Sequence, residues 1–234
     1  MHTQTGEPGQ GIDVMDASPA ESTAPLVRNL AHELRQPLSV IETAAFYAEM
    51  VLAEGDSRVA EQLQKIQTTV QQMNGVLCDL VFYARAIPAS GERVALSEAV
   101  MDAVADVSAS GDGGDMEWRD LSGAPVARMD AGHARHMLRN ILSVFLHLSG
   151  RQHPVNVSLT GAGDVVHLEF VTQSSLALRG PAELLFEPFT PLLPSGMGLA
   201  LAAVRRIAET HGGTARFIAQ VAPSLRLRVA LPAH

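Results

Sequence analysis

Two long stretches of the chain place an apolar residue at every third or fourth position, and this pattern constrains the fold more than any other. From Pro25 to Ala53 these positions are Leu30, Leu34, Leu38, Ile41, Ala45, Ala48 and Leu52. From Asp56 to Ala86 they are Val59, Leu63, Ile66, Val70, Met73, Leu77, Leu80 and Ala84. Such spacing draws one apolar stripe along a helix. Glu54–Gly55–Asp56–Ser57 between the stretches is a turn and helix-start signal. The pattern predicts an antiparallel hairpin of two helices of about 30 residues each. Val51, Val76, Val81 and Phe82 widen the apolar face beyond the stripe. A lone hairpin would leave that face wet, so a twofold dimer forming a four-helix bundle is expected.

Bulk properties limit the remaining possibilities. The 234 residues suffice for one large domain or two small ones, and a hydrophobic content of 47% can build a core. A net charge of −8 argues against a nucleic-acid partner, which needs a basic face. The single cysteine, Cys78, cannot form an internal disulfide and fits a reducing compartment. The first 22 residues contain no Lys or Arg and are rich in Gly, Pro, Ser and Thr, which predicts a disordered tail and no signal peptide. No apolar run reaches the roughly 18 residues of a membrane span, so a cytoplasmic protein is expected.

The segment LAHELRQPLSV, residues 30–40, sets His32 and Glu33 off the apolar stripe and puts Pro37 one turn further on. Proline lacks an N–H, so the helix should bend there. A neutral imidazole in water beside a carboxylate that can take its proton is a potential nucleophile. A solvated surface histidine beside an ordinary glutamate fits the same residues.

HELRQPL resembles the phosphoacceptor motif of two-component sensor histidine kinases. The resemblance implies that His32 carries the phosphoryl group, that Glu33 acts as its base, and that Gln36 stands where many members have a Thr or Asn that positions water for dephosphorylation. LVFYARA closes the second helix much as the family's does. MDAGHARHMLRNILSVFLHLSG resembles the family's Asp-to-Asn nucleotide helix, with Asp130 and Asn140 in register. VNVSLTGAGDVVHLEFV reads as two strands around a turn. LLFEPFTPLLPSGMGLALAAVRRIAETHGGTARF resembles the FEPF, glycine-loop, helix and HGG sequence, and an alternating strand ends the chain. The resemblance covers roughly residues 25–233. It implies an α+β organisation: a tail over 1–22, a dimerisation and histidine-phosphotransfer hairpin over 23–89, and over 90–234 a GHKL-like sandwich with a mixed sheet and helices on one face.

The same resemblance predicts nucleotide contacts at Asn140, Gly196 and Gly198, should ATP and Mg2+ bind. Other positions depart from it. Val144 stands where the family repeats Asn, and valine offers no oxygen to a hard cation. His147 replaces a basic residue. Thr172 takes the place of the adenine-binding Asp, and Ser174 that of a glycine. The lid TPLLPS is short, apolar and uncharged, so a collapsed site or a protein-contact surface is expected. Phosphoryl transfer rests on positioning and charge neutralisation, so each missing ligand matters. A degenerate ATPase-like domain is expected, with no metal site.

Three readings follow. In the first, His32 takes a phosphoryl group from the aspartate of one response-regulator receiver domain and passes it to another without ATP. Receivers would dock near Ile41–Tyr47 and Val76–Tyr83, and an upstream sensor or kinase could feed the relay. In the second, the chain is an ATP-dependent soluble histidine kinase. In the third, it is a regulatory pseudokinase with a vestigial His32. His133 and His136 read as ordinary surface residues, His211 as a helix-end residue before a Gly212–Gly213 turn, and Arg205–Arg206 as a solvated pair. Trp118 is placed on an early strand of the second domain.

Overall fold

The computed structural model describes residues 31, 34–35, 38–50, 57–84, 91–109, 114–121, 123, 125–150, 152–174, 181–194, 197–218 and 223–233. Residues 31, 34–35 and 38–50 are helical and are called α1. Helix α2 spans Ser57–Ala84. Two cross-helix hydrogen bonds show that the pair is antiparallel: Arg35 donates to Cys78 Sγ at 3.6 Å, and Gln67 donates to Glu49 at 3.2 Å. As the numbering rises in one helix, it falls in the other.

The heptad stripe divides in two. Leu38, Ala45, Leu63, Val70 and Leu77 are buried within the chain. Leu34, Ile41, Ile66 and Met73 are exposed at 40–46%. Members seven residues apart share one side of a helix, so one seam is closed by the partner helix and the other is not.

The remainder is a layered α/β unit. Strand β1 (Arg93–Ala95) pairs antiparallel with β3 (Val126–Arg128). A five-stranded sheet runs in the order β2-β4-β5-β7-β6. Its strands are β2 (Met116–Asp120), β4 (Val155–Ala162), β5 (Val165–Gln173), β6 (Thr214–Phe217) and β7 (Ser224–Pro232). The β2–β4 pair is parallel and the other neighbours are antiparallel, so the sheet is mixed. Val155, Val157 and Leu159 on β4, Val166, Leu168 and Phe170 on β5, and Leu225, Leu227, Val229 and Leu231 on β7 are all buried. The residues between them are partly exposed, as period-two alternation requires of a sheet covered on one face.

Helices α3 (Leu96–Ala109), α4 (Ala131–Leu148) and α5 (Ala200–Thr210) cover that face. The core between the layers is continuous and is centred on α4, where Met137, Leu138, Ile141, Leu142, Val144 and Phe145 have no exposed surface. Asp130 caps α4 by accepting from the His133 N–H at 2.9 Å, which satisfies one of the free amides of the first turn. At the far end of α5, His211 is the C-cap and Gly212 takes the left-handed φ of +72° that ends many helices. Gly213 tolerates no side chain, because a Cβ there would lie 2.2 Å from the Ala230 carbonyl oxygen.

Candidate functional site

The predicted phosphoacceptor residues His32, Glu33 and Gln36, and the loop residue Gly196, lie outside the described residues. Asn140 and Gly198 lie within them and sit on the same side of the α/β unit. Asn140 is on α4, and its side-chain amide reaches the Ala200 carbonyl at the start of α5 at 3.3 Å. Gly198 precedes α5. Its carbonyl accepts from the Phe189 N–H at 2.8 Å, and a Cβ on Gly198 would come within 3.0 Å of Phe189 Cα. The close approach that requires glycine here is therefore made by the chain's own backbone. Phe189 itself holds a φ of +57°, unusual for a bulky residue.

The positions that depart from the nucleotide-binding pattern are spent on structure. Val144 is wholly buried in the core of α4. Thr172 is buried, and its hydroxyl donates to the Pro154 carbonyl at 3.0 Å. Of the apolar lid, Thr190 and Leu193 are buried, and Leu193 joins the main core. The Leu192 N–H donates to the Thr190 hydroxyl at 3.4 Å. At the positions where the resemblance places nucleotide contacts, residue 144 offers no oxygen and residue 172 no carboxylate, and the lid residues Thr190 and Leu193 are buried.

A polar cluster lies along the first half of α4, where Asp79 of α2 reaches it, while α2 packs mainly against α5. Asp79 on α2 has 3% of its surface exposed. Its Oδ1 accepts from His136 Nε2 at 2.7 Å and from Asn140 Nδ2 at 2.5 Å. Phe82, one turn further along α2, stacks on the His136 ring at 4.4 Å and meets His133 edge-on at 5.2 Å. His133 Nδ1 lies 2.9 Å from His211 Nε2, so one ring donates and the other accepts. His211 has its pKa lowered by burial first and by repulsion from His133 second, partly offset by Asp130. Asp130 is held below the usual carboxylate range, chiefly by the His133 backbone N–H.

The structure corrects two sequence expectations. His133 and His136 are not ordinary surface residues: each side chain is 14% exposed and hydrogen-bonded. Arg205 is not simply solvated either, since its guanidinium lies 3.9 Å over the Phe186 ring and pairs with Glu183, while Arg206 is exposed. Asp79 was missed altogether. Its signal was present in GVLCDLVFYA, where it is the one charged residue in an apolar run.

Comparison with known proteins agrees with the architecture. The family described as "His Kinase A (phospho-acceptor) domain" matches residues 25–88. A "Sensor histidine kinase ZraS" from Salmonella typhimurium is 28% identical over 192 residues, covering 80% of this chain and 41% of that protein. A "Methanogenesis regulatory histidine kinase FilI" from Methanothrix harundinacea is 28% identical over 221 residues, covering 89% and 24%. The chain thus spans less than half the length of these relatives. Among solved structures, full-length ShkA in complex with AMPPNP superposes with a TM-score of 0.69 at 21% identity, covering 89% of this chain and 46% of that one. The Acinetobacter baumannii histidine kinase AdeS does so with 0.60 at 14% identity, covering 87% and 98%. The likenesses at these identities show the fold. Together with the phospho-acceptor match over residues 25–88, they support a two-component kinase core in which a phospho-acceptor hairpin is followed by a domain with the GHKL-type fold. Among the described residues, no helix is long and apolar enough to cross a membrane.

Proposed function

We propose that the chain moves phosphoryl groups through His32, exchanging them with the aspartate of a response-regulator receiver domain. The observation that carries this reading is the phospho-acceptor match over residues 25–88, which includes His32. An unprotonated ring nitrogen of His32 attacks phosphorus, the bond to the aspartyl oxygen breaks, and the carboxylate leaves. Glu33 takes the proton from the imidazole, and Gln36 sets how readily water competes. The hairpin over 23–89 is the transfer unit and the docking platform. Phe46, Tyr47 and Tyr83, all exposed, offer the receiver apolar contacts. A second copy closes the open seam through Ile41, Ile66 and Met73, and the unit over 90–234 is the ATPase-like domain.

The phosphoryl source has two readings, each with its own support. The relatives are named sensor histidine kinases, and one structural neighbour holds AMPPNP, which favours ATP with Mg2+ as the donor. Val144, Thr172 and the inward lid favour a phosphorylated receiver. The experiment offers the full chain labelled Mg-ATP in one arm and a labelled phosphoreceiver in the other, with His32→Gln as the blank. Acid-labile label from ATP establishes the kinase reading, and label from the receiver alone establishes the relay. No His32-dependent label in either arm overturns phosphotransfer and leaves a regulatory pseudokinase.

A further inference from the structure

Burying a carboxylate costs several kcal/mol unless partners replace its water. Among the described residues, Asp79 is the one charged side chain that is buried, and it lies where the hairpin meets the α/β unit. Both its partners, His136 and Asn140, are on the opposite element, α4. Phe82 covers the same contact and packs against the main core rather than the hairpin seam. The Asn140 amide has two hydrogens: one goes to Asp79 and the other to the Ala200 carbonyl. Its donor capacity is therefore spent while α2 is docked.

We propose that Asp79 is a latch that fastens α2 to α4 and, by occupying the Asn140 amide, excludes any other acceptor from it. Docking of the hairpin end and engagement of Asn140 by another acceptor are then alternatives. Whatever lifts α2 frees Asn140, and an acceptor bound to Asn140 weakens α2 docking by the same factor. The device concerns regulation of the α4 face and does not depend on phosphotransfer through His32.

The test is amide hydrogen exchange on the full chain, with diethyl pyrocarbonate labelling of histidines located by mass spectrometry. In Asp79→Ala, exchange over residues 76–84 and labelling of His133, which meets the Phe82 ring edge-on, both rise by about tenfold. Exchange over β5 and β7 stays as in the parent. Asn140→Asp sets two carboxylates against each other at the same contact and has the same effect. It also serves if Asp79→Ala fails to fold. Faster labelling confined to His136, or parent-like behaviour at both places in a folded variant, overturns the latch. None of these signals reads phosphohistidine, so the outcome is separate from that of the labelling experiment on His32.

Discussion

The hairpin and the α/β unit bury their apolar residues in different ways. In the α/β unit the core is continuous from β2 to β6, and the large side chains of α4 have no exposed surface. In the hairpin the buried cluster is small, namely Ala31, Leu38, Val70 and Leu77, while Phe46, Tyr47, Met50 and Met73 remain exposed. A sheet with helices on one face encloses its own core within one chain. Two helices have a single line of mutual contact, so half of a heptad stripe stays open until further helices arrive. The difference teaches that one part encloses its own core while the other leaves part of its apolar stripe exposed.

The largest test of this contrast is Phe145→Ala. Removing a fully buried aromatic should cost about 3–5 kcal/mol, read as a lower urea midpoint for the transition that reports on the sheet. Val144→Asn comes next. It places an amide where the family resemblance expects an Asn but buries it among core side chains, so stability should fall by about 1–3 kcal/mol. Calorimetric titration should show no gain in Mg-ATP affinity; a gain would show that the α4 face is closer to a working nucleotide site than its packing indicates.

On the hairpin side, Ile66→Ser combined with Met73→Ser should leave the sheet's unfolding midpoint within about 0.5 kcal/mol per site. Light scattering should nevertheless show a shift from dimer to monomer. An unchanged mass would mean that the open seam faces something other than a second copy.

The smallest effect concerns pH at the junction. His211 titrates at 6.5 when unperturbed and lower in the folded chain. Below 6.5 the unfolded state binds a proton that the folded state refuses, so stability declines as the pH falls toward the depressed value and is unaffected well above 6.5. Asp130 acts further down: its contribution is present above 3.8 and is lost as the pH falls through its lowered value. Urea midpoints at about pH 7.5 and 5.5 should differ less in His211→Gln than in the parent.

The sequence by itself determined several of the elements, though not α3, β1 or β3. Spacings of three and four marked α1 and α2, alternation marked β4, β5 and β7, and Gly212–Gly213 marked the end of α5, because these signals are local and follow from helix and strand periods. The family resemblance also singled out Val144 and Thr172 as departures from the nucleotide pattern, an expectation that the ATP arm of the labelling experiment tests. Only the tertiary structure decided which half of the heptad stripe is closed, that Thr190 and Leu193 of the lid are buried, and that His133 and His136 are largely enclosed. Asp79 shows why. Its partners lie 57 and 61 residues away in the chain, and no local pattern encodes a contact that exists only once two separately folded elements come together.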